Sequence, residues 1–77
     1  MSAQSDVAEL SSLRAQIEDL TRRVVLISDA YRNTDHSAVT GELDQAERSL
    51  TTARRALERA STTLTDLIPS GVIPEGL

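Results

Sequence analysis

The sequence predicts an all-α fold: an antiparallel two-helix coiled-coil hairpin that assembles into a four-helix bundle. Three observations carry this expectation. Leucine recurs at Leu43, Leu50, Leu57 and Leu64 with alanine at Ala46, Ala53 and Ala60, a heptad stripe of a and d positions on one helix face. A second stripe places Leu10, Ile17, Val24 and Tyr31 at a, with Leu13, Leu20 and Ile27 at d. The two frames are out of step, and between them "TDHSAVTGE" supplies residues weak in helix formation.

The first helix is expected over residues 5–33. Ser5 can cap it, with Asp6 and Glu9 near its positive end and Arg32 near its negative end. A connection follows at about 34–40. The second helix is expected over 40–68, capped by Thr40, with Glu42 and Asp44 in its first turn. Pro69 stops it, because proline lacks an amide hydrogen and disfavours helix at the residue before it. Residues 69–77 form an extended tail, and the whole chain, 1–77, reads as one domain. A short connection makes the helices antiparallel neighbours. Folding about the midpoint then sets Tyr31 level with Ala46, Val24 with Ala53 and Ile17 with Ala60, while Ile27 meets Leu50, Leu20 meets Leu57, Leu13 meets Leu64 and Leu10 meets Leu67. Alternating large with small keeps the layer volume even, as close packing requires.

Composition excludes several functions. The 77 residues include no cysteine, phenylalanine or tryptophan, and only one histidine, one tyrosine and one methionine. Disulfides and thiolate metal sites are absent, and the core must be aliphatic. A core of this size rarely supplies more than about 3–5 kcal/mol without a staple or a partner. The net charge of −4 is spread evenly, without the clustered basic footprint that binding nucleic acid requires. All eight cations are arginine, as GC-rich coding favours, so an actinobacterial or phage source is expected. The longest apolar run, Val24 to Ile27, is far short of the ~20 residues that span a membrane, and the N-terminus lacks a signal-peptide pattern. A soluble, cytoplasmic protein is expected.

No serine sits with a histidine and an orienting carboxylate in a catalytic arrangement, and no glycine-rich phosphate loop occurs. His36 has Asp35 beside it and Asp29 and Glu42 nearby, but one histidine with scattered carboxylates is not a convergent metal site. The expectation is therefore a non-enzymatic protein with no catalytic residue, metal, cofactor or small-molecule substrate.

What remains is association. A two-helix hairpin buries a single seam and is marginal alone. Its flanking e and g positions are mostly small and uncharged, which suits further helices. Val25 and Leu26 lie outside the stripe and are candidate interaction residues for a homodimer or another helical protein. Arg22–Arg23 and Arg54–Arg55 lie level, but Glu18–Arg22, Asp19–Arg23 and Asp44–Arg48 are favourable i,i+4 pairs, so this belt reads as self-neutralised. In the tail, Val72, Ile73 and Leu77 either fold back over Val7 and Ile68 or serve as an extended docking peptide; a frayed terminus is the third option.

One stretch adds a resemblance. Tyr31-Arg32-Asn33-Thr34-Asp35 resembles the Tyr-x-x-x-Asp/Glu export signal of actinobacterial type VII secretion substrates. Those are small, cysteine-poor helical hairpins that pair into four-helix bundles, and the resemblance implies export without a cleavable signal peptide. The family's Trp-x-Gly turn is missing here, and the motif ends the first helix rather than following the second. Two functions are thus expected: a structural or adaptor subunit acting through helix–helix association, or a small type VII secretion substrate or its hairpin partner.

Overall fold

The computed structural model describes residues 2–68. It is the expected all-α hairpin: helices α1 (Ala3–Tyr31) and α2 (Ala38–Asp66), each of 29 residues, packed against each other along their length.

The helix ends differ from the sequence reading in instructive ways. Ser2, not Ser5, caps α1: its hydroxyl accepts a 3.1 Å hydrogen bond from the Ser5 N–H. Ser5 is thereby drawn into the first turn. At the other end, the Arg32 N–H donates to the Ser28 carbonyl at 3.1 Å, and Asn33 follows at φ 66°. Asparagine enters this left-handed region more readily than most residues, and it ends helices there. Thr34 then satisfies the freed Tyr31 carbonyl twice, with its hydroxyl at 2.6 Å and its N–H at 3.2 Å. The connection is therefore 32–37 rather than 34–40. Ser37 occupies the N-cap of α2 without a side-chain capping bond. Thr40, expected as the cap, lies inside the first turn and donates its hydroxyl to the Ser37 carbonyl at 2.6 Å.

An earlier turn changes the register. Each residue by which the turn moves toward the N-terminus shifts the level of α2 against α1 by two. Arg14 reaches Glu58 and Ser28 reaches Asp44, where the sequence reading set Thr63 and Ser49 level with them.

The seam is also rotated. In the heptad frames above, the expected seam consists of the a and d positions. The structure faces a and e positions inward: Ile17 and Val24 lie beside Thr21 and Ser28 on α1, and Leu50 and Leu57 beside Arg54 and Ser61 on α2, all half-buried or buried. The d positions Leu20, Ile27, Ala53, Ala60 and Leu67 are exposed. Among the described residues no apolar side chain is fully buried; the buried ones are Ser28, 2% exposed, and Ser61, 8% exposed. Serine is small enough for two helix backbones to approach closely at those levels.

Candidate interaction surface

The polar residues of the seam gather along one edge of the hairpin. Glu58 accepts from Arg14 across the seam at 3.4 Å and pairs with Arg54 of its own helix at 3.2 Å. Toward the turn, the Ser28 hydroxyl donates to Asp44 Oδ1 at 3.1 Å, while the Arg32 guanidinium donates to the same Asp44 oxygen at 3.2 Å and to Ser28 Oγ at 3.1 Å. Arg32 holds the Asp44 carboxyl below the ordinary aspartate range by its hydrogen bond; partial desolvation opposes this, and the Ser28 hydroxyl adds to it. Half-exposed ion pairs of this kind contribute little stability each. Their value here is positional, since bonds at both ends of the seam fix register and rotation.

That polar edge determines what faces the other way. Arg32 and Asp44 both occupy b positions, and Arg14 at e meets Glu58 at b, so the b positions of both helices lie on one side of the seam. With about 100° between successive residues, the d positions of both helices must then lie together on the opposite side. There α1 presents Leu13, Leu20 and Ile27, and α2 presents Val39, Ala46, Ala53, Ala60 and Leu67. Six large apolar side chains stand exposed among the described residues, and four of them, Leu20, Ile27, Val39 and Leu67, belong to this one face.

The residues singled out from sequence are dispersed around this face. Val25 is half-buried beside the polar edge. Leu26 is 69% exposed and points directly away from α2, ringed on its own helix by Arg22, Arg23, Asp29 and Ala30. Tyr31, expected to cover Ala46, instead stands exposed with its ring edge-on to His36, centroids 6.4 Å apart. Asp35 is exposed in the connection. Val72, Ile73 and Leu77 lie outside the described residues. The basic belt is divided: Arg54 turns toward Glu58, while Arg22 and Arg23 both bind Asp19, at 2.9 and 3.6 Å. Arg48 bonds Gln45 at 2.8 Å, leaving Asp44 to Arg32.

No group of three or more histidines and carboxylates that could hold a metal occurs among the described residues, and no described helix is long and apolar enough to cross a membrane. No protein-family model, characterised protein or solved structure matches the chain. The geometry alone therefore carries the functional reading.

Proposed function

We propose that this chain is a non-enzymatic structural or adaptor protein that acts through helix–helix association, its hairpin completed by docking into a larger protein assembly. One observation carries the reading: no apolar side chain among the described residues is buried, while Leu20, Ile27, Val39 and Leu67 share one open face. Fully burying a leucine or isoleucine stabilises by roughly 1.5–3 kcal/mol. Half-buried in the seam or exposed on the open face, these residues withhold much of that stabilisation until the face is covered.

Circular dichroism of the dilute, monomeric chain tests this. A shallow, non-cooperative melt is expected. A sharp melt at about 45–65 °C, as ordinary small domains give, would overturn the reading, because the lone hairpin would then be complete.

A second reading rests on Tyr31 and Asp35, both exposed at the turn end and accessible to a recognition partner. On it, the chain is a small type VII secretion substrate, or the hairpin partner of one, and acts outside the cytoplasm. Expression in an actinobacterial host that has the secretion system distinguishes the two. Export lost in Tyr31→Ala supports the second reading, and retention of the wild-type chain in the cell removes it.

A further inference from the structure

We infer that the occupant of the open face is a second copy of this chain, related by a two-fold axis parallel to the helices. Leu13, Leu20 and Ile27 of each copy then rest on Ala60, Ala53 and Ala46 of the other. The inference deepens the association reading by naming the partner, and it depends on that reading.

The face is built in two columns of opposite size. The register set by Arg14–Glu58 and Ser28–Asp44 brings Leu13 level with Ala60, Leu20 with Ala53 and Ile27 with Ala46. Each level thus holds one large and one small side chain side by side; Leu20, Ile27, Ala53 and Ala60 are exposed, while Leu13 and Ala46 are half-buried. A two-fold axis along the bundle sets the large column of one copy over the small column of the other at the same levels, because it preserves height along the helices. Every layer then holds two large residues on one diagonal and two alanines on the other, and its volume is even. An axis perpendicular to the helices would set leucine against leucine and alanine against alanine, crowding one side and leaving a gap on the other.

Flanking charge and area agree with this arrangement. At the g positions beside the face, Glu9 comes level with Thr63, Gln16 with Ala56, Arg23 with Ser49, and Ala30 with Glu42, so no like charges are opposed. At this register the two helices lie abreast over about 25 levels, a face roughly 37 Å long and about 18 Å wide. In projection that is roughly 650–700 Å², of the order of the roughly 800 Å² that each partner contributes to a standard stable interface. Leu26 offers no comparable surface, since charged neighbours surround it.

Mixing full-length chains that carry Leu20→Cys or Ala53→Cys, under mild oxidation, tests both the partner and the axis. Wild-type mass by sedimentation equilibrium is measured alongside. The expected result is a two-chain mass, with the Leu20–Ala53 cross-linked product exceeding the statistical half of all cross-links. Leu20 self-links dominating would overturn the axis, since diagonal positions are too far apart for a disulfide. A monomer at hundreds of micromolar would overturn the second copy. If its melt stays shallow, association with a different protein survives; if its melt is sharp, that reading fails too. A sharp monomer melt that is lost when residues 69–77 are deleted would assign the face to the chain's own tail. A dimer broken by Leu26→Ser and unaffected by serine at Leu20 and Ile27 would move the interface to the outer surface and overturn the inference.

Discussion

Replacing Leu20 and Ile27 together with serine removes the two most central large side chains of the open face while leaving the seam unchanged. Leu20 is 44% and Ile27 51% exposed in the hairpin, so roughly half of each side chain remains to be buried on association. At about 1.5–3 kcal/mol for complete burial, each contributes about 0.7–1.5 kcal/mol to docking. A symmetric dimer loses each twice, about 3–6 kcal/mol in all, and every 1.4 kcal/mol is tenfold in dissociation constant. The double variant should therefore dissociate about 10²–10⁴ times more readily than wild type by sedimentation equilibrium. The isolated hairpin should lose less: the half of each side chain already shielded within it accounts for about 0.7–1.5 kcal/mol per site, with about 0.5 kcal/mol of intrinsic helix propensity besides. Helicity of the variant at the lowest measurable concentration should accordingly be somewhat lower, so the dissociation constant rather than helicity locates the interface. An unchanged dissociation constant would refute the placement of the interface.

Further substitutions separate the seam from the open face. Ala53→Leu should leave the dilute hairpin's helicity unchanged, yet weaken dimerisation by about 1–3 kcal/mol per contact through overpacking against Leu20 of the other copy; a destabilised monomer would restore Ala53 to the intramolecular seam. Asn33→Val should destabilise the turn by about 1–2 kcal/mol, because a β-branched residue resists the left-handed conformation, and Asn33→Gly should be neutral or better by chemical denaturation. Asp44 has its folded pKa lowered, so its contribution is present above the ordinary aspartate value and is lost as pH falls through the folded one. Helicity should therefore fall on acidification below about pH 4, and Asp44→Asn should be weaker at neutral pH with a flatter acid limb; an identical acid limb in the variant would remove Asp44 from the account.

The hairpin was legible from two features that do not depend on contacts, the heptad spacing of leucine and the break between the frames. The rotation of the seam was not. Positions d and e flank a on opposite sides, and an apolar d column says only that something covers it, not whether that is the same chain. Thr21, Ser28 and Ser61 read as flanks open to further helices, although small polar side chains also allow close helix approach within the hairpin when bonded as Ser28 is to Asp44 and Arg32. The position of the turn could have been read. Asn33 and Gly41 are both suited to a left-handed helix terminus, and placing the end at Asn33 would have corrected the register as well. The polar edge could not have been found without it, because Arg14 and Glu58, like Arg32 and Asp44, become neighbours only after the register is known.

Amide hydrogen exchange as a function of protein concentration shows whether the hairpin becomes a stable fold only when a second copy covers its open face. Exchange reports the free energy of opening at each residue, and a dimer's stability depends on protomer concentration. The account predicts that protection across Ala3–Tyr31 and Ala38–Asp66 rises together as concentration increases, and falls to that of a fraying helix on dilution. Strong protection that is independent of concentration would contradict it, because the single hairpin would then hold its helices closed without a partner.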